Sequence, residues 1–459
     1  MKQRAIAAGQ GGVNNITEGV IWKGILRFAA PLLLGNLFQQ LYNMVDSVIV
    51  GNFVGTGALA AVGSTMSIIN MLVGLFMGMS SGAGVVLAQR YGARDEEGAQ
   101  QAIHTAVCIQ ILAGLLITLI GVLIAPWAVD LIQTPSDIRN DAILYLRIFF
   151  LGAVPLFLYN GSAGMLQAVG DARRPLIYLI IASVTNIALD LLFVVKFGMG
   201  VAGVAVATII AISISATLGI TTLMRDDDIY RVSLRKLRIT GSALAKIIKV
   251  GVPAGLQSSI ISMSNVVVQR FINIYGTAVV AGSSAFNKID AFIVMPFMSL
   301  SLAATTYVGQ NIGARKWDRV RESARWIFIM TTVITAASGL ILWLFCGTFL
   351  RIFTSDTEVI FYGLKEMRWL VPFYILCGFV QTCAGVIRGS GQAFIPMVIT
   401  VSSFCVLRVI WLVISGMFFP SIDAVFACYP VTWAVAAITM FIYYKKGSWL
   451  KGQMREERL

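Results

Sequence analysis

The sequence predicts an all-α polytopic membrane protein with twelve transmembrane helices in two pseudo-symmetric six-helix bundles. Of its 459 residues, 58% are hydrophobic and only 12% are charged, and the mean hydropathy is +0.82. A soluble chain of this length could not bury so many apolar side chains in its cores. The chain also repeats itself at a shift of 221 residues, which indicates a duplicated scaffold.

Twelve apolar runs are long enough to cross a bilayer, which takes about 18 or more residues. They are predicted at 25–50, 58–82, 98–125, 141–168, 174–196, 201–223, 245–273, 279–307, 324–350, 361–387, 394–418 and 424–444.

The repeat is seen in matching short motifs of the two halves. The matching pairs are Gly55-Thr56 and Gly276-Thr277, Gln89 and Gln310, Gly92-Ala93-Arg94 and Gly313-Ala314-Arg315, Gly170 and Gly391, and Pro175 and Pro396. An even number of helices per repeat makes the halves parallel, as in transporters whose two bundles face a central cleft. We therefore expect an N-lobe at 1–223, a cytoplasmic linker at 224–244, a C-lobe at 245–444 and a cytoplasmic tail at 445–459.

The net charge of +13 is unevenly distributed over the predicted loops. One alternate set of loops, with both tails, carries 26 Lys and Arg residues, whereas the opposite set carries 6. This bias predicts that both termini face the cytoplasm of a prokaryotic plasma membrane, and it argues against nucleic-acid binding.

Several other classes of protein lack support in the sequence. Residues 1–24 do not resemble a cleavable signal. The six cysteines form no CxxC pair, and the lone His104 has no partners for a metal site. Because the chain also contains neither GxSxG nor GxxxxGK[ST], we expect neither an enzyme nor an ATP-driven pump, and no cofactor beyond a coupling ion.

Asp46 is an acid at the end of the first predicted span. Gln39 and Asn43, seven and three residues before it, fall on its helical face. An ionised carboxylate in hydrocarbon needs a partner, a proton or a water-filled cavity. Alternatively, Asp46 is simply wetted at the outer mouth, because Gly51 and Asn52 follow soon after.

Asp190 indicates a functional site more strongly than Asp46 does, because its flanking residues are apolar and Asn186 lies four residues away on the same helical face. If this face meets that of Asp46, two carboxyls, an amide and the Thr208 hydroxyl share a pocket. Desolvation and like charge would then favour a proton on one carboxyl, so that a proton gradient could load and unload it. A structural Asp190 capped by Asn186 is the other interpretation.

The second half of the chain carries a basic residue at the position that corresponds to Asp190. Counting eight residues back from Gly198 and Gly416 pairs Asp190 with Arg408. Lys288 and Asp290 are the best candidates for charged partners of Arg408. The three residues could form structural ion pairs or contact an anionic substrate. Met263 and Tyr374 belong to a set of aromatic and methionine side chains that could bind lipophilic cations or simply pack helices.

Several motifs resemble those of the multidrug and toxic compound extrusion (MATE) family over nearly the whole chain. They are Phe28-Ala-Ala-Pro31, Tyr42 to Gly51 around Asp46, Val169-Gly-Asp171, Asn186 to Asp190, Gly198 to Gly203, and Val308 to Arg315. The resemblance implies the MATE fold and alternating access of a central cavity. It also implies export of lipophilic cationic drugs against an inward flow of protons or sodium.

Carried over residue by residue, the resemblance assigns roles within the N-lobe. Asp46 and Asp190 would form the cation site, Gln39 would line the cavity wall, and Pro31 would mark a bend of the first helix. Supporting positions would be Asn186, Asn160, Tyr145 and Thr208. On the substrate side we further expect Asn43, Met263, Tyr374 and Arg408.

The seventh and tenth helices carry no acid at the positions where sodium-coupled relatives place one. They read Gln257 to Met263 and Phe379 to Cys383 there. The chain therefore looks closer to the DinF-like branch, which favours protons, although two carboxylates with amide and hydroxyl oxygens also suit sodium. We expect a monomer in the lipid bilayer. A flippase or exporter for an endogenous lipid or metabolite and an uncoupled channel are the alternatives.

Overall fold

The computed structural model describes residues 16–132, 134–447 and 449–450. The basic residues Lys2, Arg4, Lys451, Arg455 and Arg458, which contribute to the predicted orientation, lie outside these ranges. Helices joined by short connections make up the described part, and no strand occurs there.

The described residues form twelve long helices, in agreement with the number predicted from the apolar runs. They are α1 Ile21–Val54, α2 Thr56–Gly92, α3 Glu96–Leu131, α4 with its two arms Arg139–Leu151 and Ala153–Ala168, α5 Arg173–Lys196, α6 Gly200–Arg225, α7 Gly241–Asn273, α8 Thr277–Gly313, α9 Trp317–Phe353, α10 Thr357–Gly389, α11 Phe394–Phe418 and α12 Ile422–Lys446. The shortest unbroken member has 24 residues, which is enough to cross about 30 Å of hydrocarbon.

Most helices extend beyond the apolar runs that predicted them. The second run, 58–82, marks only part of α2, which continues to Gly92. The start of α3 is set by capping rather than by hydropathy. The Asp95 side chain begins α3 by accepting a hydrogen bond from the Gly98 N–H at 2.9 Å, and this bond lowers the pKa of Asp95.

The fourth helix, predicted as one span at 141–168, is bent. Its two arms meet at Gly152 and are bent by 52°. Pro155 lies in the first turn of the second arm, where its missing N–H costs no helical hydrogen bond. Hydropathy does not report such a bend, because both arms remain apolar.

Three helices contain a π-helical turn. These turns are Val50–Val54 in α1, Leu191–Lys196 in α5 and Ser402–Leu407 in α11. The first two pack against each other. Single π turns inside α-helices are frequent at functional sites.

The backbone adopts the same rare conformations at matching positions of the two halves. Gly55 has φ 118° and Gly276 has φ 97°, while Arg94 and Arg315 have φ 53° and 58°. Positive φ is uncommon for an arginine, so the same turn is built twice, 221 residues apart.

The chain divides into two compact units. The first consists mainly of Leu26–Gly255 and the second mainly of Leu256–Gly309 with the described residues from Lys316 onward. In the first unit the second arm of α4 packs against α2, α3 and α6, and α5 packs along α6. In the second unit α10 packs against α9 and α12.

Close packing in the first unit predicts a marked effect of one added methyl group. A Cβ at Gly114 of α3 would lie 2.6 Å from Val154 Cα of α4. Gly114→Ala should therefore destabilise the fold by about 1–3 kcal/mol, measured as a lower melting temperature in detergent. Gly63→Ala is the matched control, because a Cβ there meets nothing within 4 Å. Equal melting temperatures for the two variants would refute this close contact.

Candidate functional site

Two acids from different helices meet inside the first unit. Asp46 lies near the end of the α-helical part of α1, and Asp190 ends the α-helical part of α5. Their relative exposures are 8% and 0%. Each acid precedes one of the two π turns that pack together, so this local packing brings the two helix segments side by side.

The two carboxyl groups are adjacent to each other. Among the described residues, neither Asp46 Oδ1 nor Asp190 Oδ1 has a hydrogen-bond donor. A buried, ionised carboxylate normally accepts several hydrogen bonds, so two unpartnered oxygens at one place are unusual. No basic side chain forms an ion pair with either acid in the described part of the chain.

Polar groups of α5 and α6 surround Asp190. In the amide orientation that satisfies both sides, Asn186 donates to Asp190 Oδ2 at 3.0 Å and accepts from the Thr208 N–H at 3.3 Å. The Thr208 hydroxyl donates to the Val204 carbonyl at 3.0 Å. Asn186 is therefore held by α6 while it orients one oxygen of Asp190.

Two tyrosines complete the cluster. The Tyr42 hydroxyl lies beside Thr208, and Tyr42 interacts electrostatically with both acids. Tyr145 of α4 is 3% exposed and interacts with Asp46, Tyr42 and Asp190. We call Tyr42, Asp46, Tyr145, Asn186, Asp190 and Thr208 the acid-pair cluster.

The other residues predicted for this half lie elsewhere or make other contacts. Asn160 donates to the Leu156 carbonyl at 2.8 Å, and no hydrogen bond joins it to either acid among the described residues. Gln39 and Asn43 are exposed side chains of α1. Pro31 lies inside the continuous helix α1, where it removes one backbone donor.

The second unit contains a separate buried polar cluster around Arg408. Arg408 is 2% exposed, and its guanidinium donates to Asn265 Oδ1 at 3.0 Å. It also lies over the ring of Tyr429, 4.6 Å from the centroid. Its Nε has no partner among the described residues.

Acids lie near this arginine without forming an ion pair with it. The Tyr374 hydroxyl donates to Asp290 Oδ1, and its ring is 5.3 Å from that of Trp433. Glu366, 1% exposed, lies beside Ser283 and within electrostatic range of Asp290. Glu366 Oε2 lacks a hydrogen-bond partner in the described part of the chain.

Glu366 is an acid of the tenth helix that the sequence analysis did not identify. The comparison at Phe379 to Cys383 examined only one part of the tenth helix, whereas Glu366 belongs to the preceding turns of the same α10. A buried glutamate in a spanning helix is itself a signal that sequence reasoning should have used.

The remaining predicted residues of the second half differ in exposure. Tyr374 is 2% exposed and Met263 is 57% exposed. Lys288 is exposed and lies over the Phe353 ring at 5.3 Å, so it does not join Asp290 and Arg408 in one cluster.

Tyr42 was absent from the predicted site, although its position could have suggested it. It lies four residues before Asp46, a spacing that shares a helical face. The prediction chose Gln39 and Asn43, at spacings of seven and three, and the structure exposes both side chains.

Comparisons with known proteins agree with this architecture. A sequence model of the family described as MatE matches residues 31–192 and again residues 253–414. The chain is 29% identical over 437 residues to the probable multidrug resistance protein YpnP of Bacillus subtilis (strain 168), covering 95% of this chain and 97% of that protein. The probable multidrug resistance protein YoeA of the same strain is 28% identical over 434 residues, covering 93% and 94%.

A solved structure of similar fold is that of a MOP superfamily transporter from Pyrococcus furiosus. Its TM-score is 0.88 at 23% identity, covering 95% of this chain and 98% of that one. The fold, the apolar spans and the double match of one family model together show that this multi-pass membrane transporter belongs to the MatE family.

Proposed function

We propose that this protein exports amphipathic cations by alternating access, in antiport with protons that bind the acid-pair cluster. The observation that carries the proposal is the adjacency of Asp46 and Asp190 with one unpartnered oxygen on each. The family, and the naming of the two Bacillus subtilis relatives as probable multidrug resistance proteins, support drug-like molecules as substrates.

The physical argument begins with like charge. Two ionised carboxylates side by side, removed from water, repel each other strongly. One proton between them removes the repulsion and supplies the donor that the unpartnered oxygens lack. The pair therefore takes up and releases a proton as a unit.

Competition between proton and substrate supplies the coupling. A lipophilic cation bound within electrostatic range stabilises the ionised pair and disfavours its proton. By linkage, the proton lowers the affinity for the cation to the same extent. Antiport follows if the protein switches between its inward-facing and outward-facing conformations more readily with a proton or a cation bound than with the site empty.

Asn186, Thr208 and the two tyrosines act as positioning groups in this proposal. Asn186 donates to Asp190 Oδ2 and so leaves Oδ1 for the shared proton. Tyr42 and Thr208 join α1 to α6 beside the pair. These contacts orient the acids at a defined separation while the helices move.

The buried polar cluster of the second unit contains a basic residue together with its acids. Arg408 places a buried cation near Asp290 and Glu366. A fixed positive charge disfavours entry of a cationic substrate or sodium at that cluster. For this reason we assign coupling to Asp46 and Asp190 rather than to Glu366.

Efflux from proteoliposomes tests the function directly. Vesicles loaded with a fluorescent lipophilic cation should lose it across the reconstituted protein when a pH gradient is imposed without sodium. Protein-free vesicles set the background. Efflux under a sodium gradient alone would overturn proton coupling, and dissipation of the pH gradient without substrate movement would indicate a channel.

The proposed orientation places both termini and the loop between α6 and α7 in the cytoplasm. The Asp227 side chain in this loop is fully exposed, and Ser355, between α9 and α10, is exposed on the face expected outside. On a cysteine-free background, an impermeant thiol reagent should label Ser355→Cys in intact cells and Asp227→Cys only after lysis. The reverse pattern would show that the topology is inverted.

A further inference from the structure

A cavity of about 680 Å³ opens beside the start of α3, at the loop that joins α6 to α7. Glu96, Glu97 and Gln100 form its α3 side. The opposite side consists of the loop residues 235–238. This volume falls within the range of small-molecule sites, roughly 300–1,000 Å³.

Hydrogen bonds fix the loop to α3, so the cavity is preformed. The Ser233 N–H donates to His104 Nε2 at 3.0 Å, while His104 Nδ1 faces the Gln100 carbonyl at 2.7 Å. His104 is 3% exposed, which protects this link from water. A second link follows directly, because the Thr240 N–H donates to Thr105 Oγ1 at 3.1 Å.

The cavity presents charges of both signs without internal pairing. Arg235, Lys236 and Arg238 have no ion-pair partner within the described ranges. Glu97 accepts a hydrogen bond from Gln101 at 3.0 Å, whereas the Glu96 side chain forms no hydrogen bond or ion pair among the described residues. The separated charges leave three cations and one free carboxylate available to a ligand.

Apolar side chains next to these cations indicate the bilayer surface. Leu234 is 57% exposed and Ile239 is 45% exposed, on either side of the three basic residues. The loop continues at both ends into spanning helices, α6 and α7. Exposed apolar residues interleaved with basic ones are typical of segments that lie in the headgroup region.

We infer that this cavity binds the phosphoethanolamine headgroup of a phospholipid in the adjoining leaflet. The phosphate would accept charge-assisted hydrogen bonds from Arg235, Lys236 and Arg238. The ammonium group would lie against Glu96. An anionic glycerol headgroup would satisfy the basic residues but leave Glu96 facing hydroxyl groups. The inference concerns a surface remote in sequence from both acids of the acid-pair cluster and does not rest on the proposed function.

The test is binding of short-chain lipids to the full-length protein, purified in detergent and stripped of lipid. Native mass spectrometry would compare dihexanoyl phosphatidylethanolamine, dihexanoyl phosphatidylglycerol and inorganic phosphate. We expect phosphatidylethanolamine to bind most tightly. Arg235→Gln should weaken both lipids about tenfold or more, as expected for loss of a hydrogen bond to a charged group. Glu96→Gln should weaken phosphatidylethanolamine alone.

Lys249→Gln is the matched control, because Lys249 is an exposed cation of the same unit outside the cavity. All three substituted side chains are exposed, so the variants should fold, and an unchanged elution volume checks this. Equal binding of both lipids, or equal effects of Arg235→Gln and Lys249→Gln, would overturn the proposal. If inorganic phosphate bound as tightly as the lipids, the cavity would recognise free phosphate, and the assignment to a lipid headgroup would be wrong.

Discussion

Asp190→Asn should reduce efflux driven by a proton gradient to the background of protein-free vesicles, while the protein still folds and inserts. Asparagine has nearly the same shape and still accepts the hydrogen bond from Asn186 through its carbonyl oxygen. It carries neither a negative charge nor a transferable proton. Coupling is therefore lost without a cavity in the packing.

Glu366→Gln is the matched control for Asp190→Asn. Besides Asp46 and Asp190, Glu366 is the buried acid that has an unpartnered oxygen in the described part of the chain. The variant should keep proton-driven efflux within about twofold of the wild type, because about 0.4 kcal/mol corresponds to that factor. If Glu366→Gln abolished efflux and Asp190→Asn did not, the coupling site would belong to the second unit.

Asp46→Asn should also abolish proton-driven efflux, and the double variant with Asp190→Asn should be no worse than either single variant. Two acids that share one proton titrate as a unit, so removing either removes the function of both. Parallel measurements of efflux and of proton entry into the same vesicles would test this. Additive partial losses would contradict a shared site and indicate two independent ones.

The spans and the acids could be predicted from sequence because their physical signals are local. Long apolar runs define helices in a bilayer, and an acid such as Asp190 among apolar residues is costly unless it has a partner or a proton. The spacing of four residues was sufficient to place Asn186 with Asp190, and the structure shows this contact.

The meeting of Asp46 with Asp190 depends on packing that no local pattern reports. The π turns Val50–Val54 and Leu191–Lys196 follow the two acids and contact each other, and this contact between distant helices has no signal in the sequence. Spacing alone allows both Tyr42 and Asn43 on the helical face of Asp46, and the structure shows that Tyr42 is the residue of α1 that lies beside Thr208.

Similarity to a family also limited the prediction for the second unit. Acids were sought only where related helices carry them, so Glu366 was missed although it lies in the same helix. Arg408 was identified because a charge in a span is visible in any sequence, but its aromatic partner Tyr429 comes from a different helix, α12. Contacts between helices distant in sequence required the structure.

Proton release by the detergent-solubilised protein on substrate binding tests the central claim most directly. In weakly buffered solution, addition of a lipophilic cation to the wild type should release protons, and the affinity should rise with pH over the range in which the acid pair loses its proton. Asp190→Asn should release none, and its affinity should be independent of pH. Substrate affinity that is flat across pH in the wild type, with no proton release and strict dependence on sodium, would contradict proton coupling at Asp46 and Asp190.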